Sequence, residues 1–210
     1  MTKKIRYKMM LTGIMILGLS ISFLRYGAVG TDPYTTMNLG VSSTLGLSFG
    51  TYQLLINTLL LAVIFVYKRR SIGIGTVMNM IMVGFTSDFF YFLLTKMLPS
   101  QQELLLRASV TVLAVGLACT GIALYMEADL GIAPYDALSI LIVDKSSGRV
   151  PFFMARMIID ILAVFIGFRF GAVVGIGTVI LSLFTGPLVQ IIREKLLSPN
   201  QNKDTTVVKV

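Results

Sequence analysis

The sequence predicts an all-α polytopic membrane protein with about six transmembrane helices in two inverted-topology three-helix repeats. Two observations support this fold class. Hydrophobic residues make up 55% of the 210 residues and charged residues only 13%, about half the charge of a soluble domain. Motifs of the first half also recur in the second at a nearly constant offset: Pro33 and Tyr34 return as Pro134 and Tyr135. Such recurrence indicates duplication of a half-length unit.

Six apolar runs come near the roughly 20 residues that a helix needs to cross a bilayer. They cover about 9–28, 51–67, 72–97, 105–126, 151–169 and 171–195. Two weaker apolar segments, at about 33–46 and 134–144, follow the Pro-Tyr motifs, and each predicts a short re-entrant or interfacial helix. The chain then divides into a basic N-terminus (1–8), a first repeat (9–98), a linker (99–104), a second repeat (105–197) and a polar tail (198–210) that we expect to be disordered.

Basic residues orient the predicted spans. Four of them precede the first span, within residues 3–8, and the densest loop cluster lies at 68–70. The positive-inside rule places both groups in the cytoplasm, so both chain termini are predicted to be cytoplasmic and the 99–104 linker extracellular. With three spans per half, the second half must run opposite to the first, as in many secondary transporters. We therefore expect a multi-pass protein of the bacterial cytoplasmic membrane.

Composition argues against several functions. The chain has no histidine and one cysteine, Cys119, which lies inside an apolar run. An internal disulfide, histidine or cysteine metal sites, and Ser-His or Cys-His catalysis are therefore excluded. The sequence also lacks a Walker-type loop, which argues against an ATP-driven pump. The net charge is +8. The basic residues cluster at the ends of apolar runs and form no basic stripe, so nucleic-acid binding is not expected. We predict no enzyme, no metal and no cofactor.

The Pro-Tyr motifs have the features of helix starts. Asp32 precedes the first proline as an N-cap residue would, and Asp136 falls in the first turn after the second. Ordinary helix initiation accounts for this pattern. The functional alternative is that both short helices point their N-termini at an anionic group of a substrate, with Tyr34, Tyr135 and Asp136 lining its path. Non-helical backbone at membrane depth survives only where it is buried or lines a cavity.

A Gly-Ile-Gly-Thr motif occurs twice, at 73–76 and 175–178, each time at the start of a predicted span. Small residues there let neighbouring helices approach closely, and a backbone-amide site for an anion is the alternative. Proline inside a span removes a backbone hydrogen bond, so the Gly-Pro pair in the last span predicts a hinge or a broken helix. The predicted hinge positions are Gly73, Gly75, Gly84, Gly175, Gly177, Gly186 and Pro187.

Polar residues inside predicted spans are the strongest site candidates. Arg156 and Asp160 stand four apart on one helix face, and their counterparts in the first half are Gln53 and Asn57. A charge near the bilayer centre costs about 2.5–3.5 kcal/mol on insertion scales, so an intramembrane ion pair is a candidate functional site. At 1.5 Å per residue, Asn57 and Asp160 both fall near the midplane. The alternative is a structural ion pair with an amide pair that joins helices.

Together these residues resemble the YczE/YyaS/YitT family of small bacterial integral membrane proteins. The resemblance rests on Gly-x-x-Pro-Tyr-Asp at 131–136, its variant at 30–35, the polar helix faces and the repeated Gly-Ile-Gly-Thr. Thr35 stands where the second copy of the motif has aspartate. The resemblance covers about 8–197 and implies a membrane location. It also implies a role in transport or export, with which the family is often associated.

We expect a secondary transporter for a small or drug-like molecule that acts by alternating access around a midplane polar site. Arg156 would bind an anionic or zwitterionic group, while Gln53 and Asn57 would hydrogen-bond the substrate. Asp160 would orient Arg156 or carry a coupling proton, and Asp88, in the third predicted span, is the second coupling-ion candidate.

The alternative is a non-catalytic membrane scaffold or accessory protein that supports a partner enzyme. A scaffold predicts a closed centre in which Arg156 is paired with Asp160, whereas a transporter predicts a water-accessible cavity. The expected partners are membrane lipids and an unidentified small molecule. The sequence does not decide whether the protein forms a homodimer.

Overall fold

The structure, a computed structural model, describes residues 1–67, 72–98, 103–147, 149–150 and 152–192. Within these ranges the chain forms eight α-helices and no strand, which confirms the predicted all-α class. The helices are α1 (Lys3–Gly27), α2 (Pro33–Thr44), α3 (Phe49–Tyr67), α4 (Ile74–Met97), α5 (Leu104–Ala128), α6 (Pro134–Lys145), α7 (Phe152–Arg169) and α8 (Ile176–Ile192). The 68–70 cluster, most of the 99–104 linker and the 198–210 tail lie outside the described residues.

Among the described residues, four helices are long and apolar enough to cross a membrane: Lys3–Gly27, Phe49–Tyr67, Ile74–Met97 and Leu105–Ala128. They coincide with the first four predicted spans. The helices at the fifth and sixth predicted spans are shorter, with 18 residues in α7 and 17 in the described part of α8. Helix α7 also carries three charged side chains, Arg156, Asp160 and Arg169. Six spans in an inverted arrangement therefore stay a prediction.

Helix α8 begins within the Gly-Ile-Gly-Thr motif and departs from the predicted span at two points. It begins at Ile176 rather than near 171, because the chain turns at Gly171, where φ is +80°. It then continues through positions 186 and 187 without interruption. The predicted break at Gly186-Pro187 is thus wrong for the described backbone, and a hinge there stays a prediction.

The two copies of the repeat pack on each other. Helix α1 packs along α5 and α4, and α5 packs also against α8. The short helix of each copy lies against a long helix of the other: α2 packs on α7, and α6 packs on α3. Glycines bring α1 and α5 into backbone contact, since a Cβ on Gly13 would lie 2.8 Å from the carbonyl oxygen of Gly121. Helices of both copies therefore form the walls of the space between them.

Arginines at equivalent positions join the ends of α1 and α5. Arg6 Nε donates to the carbonyl oxygen of Ala128 at 2.8 Å, and Arg107 Nε donates to that of Gly27 at 2.7 Å. In both cases the Nη2 atom bonds the next carbonyl along the chain. The last carbonyls of a helix have no partner within the helix and carry partial negative charge. Each arginine therefore caps the helix of the other copy.

Candidate functional site: a polar cavity between the two halves

The loops that lead into α2 and α6 are held by the Gly-Ile-Gly-Thr motif of the opposite copy. The backbone N–H of Gly75 donates to the carbonyl oxygen of Leu130 at 2.7 Å. In the equivalent contact, the N–H of Gly177 donates to the carbonyl oxygen of Val29 at 3.0 Å. These bonds satisfy loop carbonyls that lie outside any helix, and they fix where the N-termini of the two short helices lie.

Two glycines make these close contacts possible. Gly30 and Gly131 have φ values of +111° and +127°, which side chains of L-residues rarely adopt. A Cβ would lie 2.5 Å from Thr178 Oγ1 at Gly30, and 2.5 Å from Thr76 Oγ1 at Gly131. Close packing is thus the interpretation of the repeated motif that the geometry supports. Motion at its glycines stays a prediction.

The N-termini of α2 and α6 meet through two stacked tyrosines. The rings of Tyr34 and Tyr135 have centroids 4.3 Å apart and an interplanar angle of 26°. Tyr34 Oη donates to Asn57 Oδ1 at 2.7 Å, and Tyr135 Oη donates to Asp160 Oδ1 at 2.6 Å. Asn57 and Asp160, which the repeat makes equivalent, are therefore joined through the stacked rings.

Arg156 lies among carboxylates. Its Nε atom is 3.1 Å from both carboxylate oxygens of Asp160, and its Nη1 atom bonds Asp136 Oδ1. The guanidinium carbon also lies 4.7 Å from the centroid of the Tyr135 ring. The Arg156 side chain nevertheless keeps 33% of its surface exposed and that of Asp136 keeps 39%. The ion pairs thus border open space rather than a sealed core.

The cavity at this point has a volume of about 140 Å³. Six of the predicted substrate-binding residues line it: Tyr34, Gln53, Asn57, Tyr135, Asp136 and Arg156. The seventh, Asp160, lies behind them, bonded to Tyr135 and Arg156. Apolar side chains of α1 and α5, among them Leu17, Ile21 and Ile122, form part of the wall. The structure therefore brings together residues from both copies that the sequence predicted as one site.

Gln53 differs from its neighbours in this lining. Its side chain is only 4% exposed, and its Oε1 atom makes no hydrogen bond to any residue that the structure describes. A buried polar atom without a partner carries a desolvation penalty of about 1–3 kcal/mol. Gln53 lines the cavity, but this atom is enclosed beside α4, where a Cβ built on Gly84 would lie 3.0 Å from it.

Several lining residues were not predicted as site residues, and Asp32 and Asn79 are two of them. Asp32 caps α2 by accepting a hydrogen bond from the Thr35 backbone N–H at 3.1 Å, and it also faces the cavity. Asn79 reaches the same cavity from α4. The sequence contained a signal for Asn79, because an amide inside an apolar span needs a partner. Its counterpart in the second copy is Leu181, so repeat symmetry did not reveal it.

Asp88, the second coupling-ion candidate, lies apart from the cavity lining. It forms an ion pair with Arg25 at 2.8 Å and accepts a hydrogen bond from the Gly50 backbone N–H at 2.6 Å. The Arg25 guanidinium carbon also lies 4.2 Å from the ring centroid of Tyr91. Asp88, in the middle of α4, thus joins the end of α1 to the start of α3, where the helix dipole favours a negative charge.

The fold and this cavity define a class: an all-helical membrane protein with a polar cavity between its two halves. The chain belongs to the family described as a family of unknown function, DUF6198, which it matches over residues 4–194. Within the described residues, no group of three or more histidine, cysteine, aspartate or glutamate side chains is placed to hold a metal ion.

Three bacterial relatives cover most of the chain. The uncharacterized membrane protein YczE of Bacillus subtilis is 27% identical over 187 residues, which are 89% of this chain and 84% of YczE. An uncharacterized protein of Haemophilus influenzae is 28% identical over 86% of this chain and 80% of its own length. The uncharacterized protein YyaS of Bacillus subtilis is 27% identical over 90% of this chain and 94% of YyaS. No solved structure matches the chain.

Proposed function

We propose that the chain is a secondary transporter of the bacterial cytoplasmic membrane and moves a small molecule by alternating access around the central cavity. This proposal rests on the matching contacts that the two copies make with each other around a polar centre. Equivalent residues of the two copies make matching contacts with each other, and the cavity lies where these contacts meet. Two inverted repeats that enclose one site can exchange conformations and thereby expose that site to each side in turn.

Equivalent contacts also exist at the far ends of the short helices. Thr44 Oγ1, at the end of α2, donates to the carbonyl oxygen of Phe170 at 3.2 Å. Lys145 Nζ, at the end of α6, lies 3.8 Å from the ring centroid of Tyr67. These positions correspond in the repeat, and the predicted topology places them on opposite sides of the membrane. Opening of one contact and then the other would give the cavity two exits.

Buried polar atoms continue from the cavity toward these ends. Asn38 lies one turn beyond Tyr34 on α2, and Ser139 lies one turn beyond Tyr135 on α6. Both side chains are fully buried, and neither Asn38 Oδ1 and Nδ2 nor Ser139 Oγ has a hydrogen-bond partner in the described chain. Unpartnered polar atoms at equivalent positions are costly in a structural core. They are consistent with two paths that a substrate would take.

A scaffold that supports a partner enzyme is the second candidate. The observation that favours it is the pairing of Arg156 with both Asp136 and Asp160, since a structural ion cluster would have this geometry. Neither candidate is an enzyme. They differ in whether the two ends of the molecule move against each other.

Distances between paired spin labels test that difference. One pair, Leu45→Cys with Phe170→Cys, reports on the exposed end of α2, and a second pair, Val66→Cys with Ser147→Cys, reports on that of α6. Both pairs are placed in a Cys119→Ala background, because Cys119 is the natural thiol. For a transporter we expect two distance populations at each end.

Removal of one arginine cap should then shift the two ends in opposite directions. Arg107→Gln weakens the end of α1, so it should lengthen the 45–170 distance and shorten the 66–147 distance. Arg6→Gln should do the reverse. A single narrow population at both ends that neither substitution moves would contradict alternating access and favour the scaffold.

A further inference from the structure

More acidic than basic side chains surround the central cavity. Arg156 is the cation on its described lining, and it is already bonded to Asp136 and Asp160. Asp32 also lies on the lining and has no ion-pair partner among the residues that the structure describes. Three carboxylates face one guanidinium, which is a formal excess of two negative charges. The N-terminal dipoles of α2 and α6, at about +0.5 each, offset half of that excess.

The excess negative charge favours a positively charged ligand. A buried charge without compensation is costly, and in a low-dielectric cavity its field attracts ions of the opposite sign. Carboxylates accept hydrogen bonds, so they match a cation that carries N–H donors.

We infer that the cavity binds a small organic cation, namely a protonated amine, with Asp32 as its counter-charge. This inference deepens the proposed function and rests on it for the location of the site. It replaces the expectation that Arg156 binds an anionic group, because the guanidinium already has two carboxylate partners. A cavity of about 150 Å³ holds one benzene molecule, so a cavity of about 140 Å³ takes a ligand of roughly six to eight heavy atoms.

The charge of the cavity can be measured with thiol reagents of opposite charge, without knowledge of the substrate. Ala133→Cys on the lining, in the Cys119→Ala background, is reacted in detergent with aminoethyl and with sulfonatoethyl methanethiosulfonate. For each variant, the labelling rate with the cationic aminoethyl reagent is divided by the rate with the anionic sulfonatoethyl reagent. The value for Ala133→Cys is then compared with that for the control Leu45→Cys, since Leu45 is exposed at the end of α2. Ile122→Cys, a second lining position, serves if the first variant does not fold.

We expect the cationic reagent to be favoured at least tenfold at the lining position. Asp32→Asn should lower this preference at least threefold, and Arg156→Gln should raise it, because the two substitutions change the local charge in opposite directions. Butylammonium at millimolar concentration should slow the labelling, whereas butyrate and sodium chloride at equal ionic strength should not.

Three results would overturn the inference. They are a preference at or below that of the exposed control, absence of labelling by both reagents, and equal protection by sodium chloride and butylammonium. None of these measurements depends on movement of the two ends. If the cavity selects amines but the spin-label distances never change, the transporter proposal is refuted and the inferred amine site stands.

Discussion

Arg6 lies in the first turn of α1 and Arg107 in the first turn of α5, 101 positions apart. Arg6 caps the C-terminal carbonyls of α5, and Arg107 caps those of α1. One arginine closes each end of the α1–α5 pair. The same chemistry at both ends shows that the repetition in the sequence persists as matching contacts in the tertiary structure. The ends are not identical, since Arg6 forms an additional ion pair with Asp129 at 3.0 Å.

Removal of either cap should lower stability. Arg107→Gln leaves the carbonyls of Gly27 and Ala28 without their charged donor, and we expect a loss of about 1–2 kcal/mol of unfolding free energy. Arg6→Gln should cost a similar amount, because the ion pair that it also breaks is exposed. Thermal unfolding in detergent measures both. Lys4→Gln, which removes an exposed charge on the same turn of α1, should have no effect; an equal loss there would refute the capping argument.

The ion cluster should respond differently to single and paired substitutions. Arg156→Gln leaves Asp136 and Asp160 without their cation, and we expect a loss of about 2–4 kcal/mol, somewhat less than for a fully buried pair. Asp160→Asn in the same chain should restore about 1 kcal/mol or more, because it removes one uncompensated charge. Thermal unfolding measures these losses. If the loss in the double variant equals the sum of the two single losses, the residues do not act as one cluster.

The stacked tyrosines should be coupled. In a double-mutant cycle of Tyr34→Leu and Tyr135→Leu we expect a coupling energy of about 0.5–1.5 kcal/mol from the ring contact. Tyr34→Phe keeps the ring and loses only the hydrogen bond to Asn57, so about 1 kcal/mol is expected. A matched cycle of Tyr34→Leu with Tyr7→Leu on the exposed face of α1 should give no coupling. Coupling of equal size in both cycles would contradict the stacking interpretation.

Gly131 should not tolerate a side chain. Gly131→Ala requires φ near +127° and places a Cβ 2.7 Å from the backbone nitrogen of Gly73, so we expect a loss of more than about 3 kcal/mol or failure to fold. Gly116→Ala is the control, since a Cβ there meets nothing within 4 Å and alanine favours the helix by about 0.5–1 kcal/mol. Yield and thermal midpoint of both variants provide the comparison. Comparable stability of the two would show that the loop can relax.

Local spacing was sufficient to predict part of the site. Arg156 and Asp160 are four residues apart on one helix, so their contact follows from helix geometry alone. The bond from Arg156 to Asp136 depends on how α6 packs on α7, and spacing along the chain does not contain that information. For the same reason Asp88 was predicted as a coupling group, although the packing of α1 against α4 pairs it with Arg25.

The sequence by itself determined the membrane class, the duplication, the two short helices and six of the residues that line the cavity. These features follow from hydropathy, residue spacing and helix-start signals, all of which are local or periodic. Only the tertiary structure decided the charge of the cavity, because the balance depends on which carboxylates reach Arg156 and on the entry of Asp32 from a loop. Charges that are far apart in the chain acquire their joint effect only when packing brings them within a few ångströms of each other.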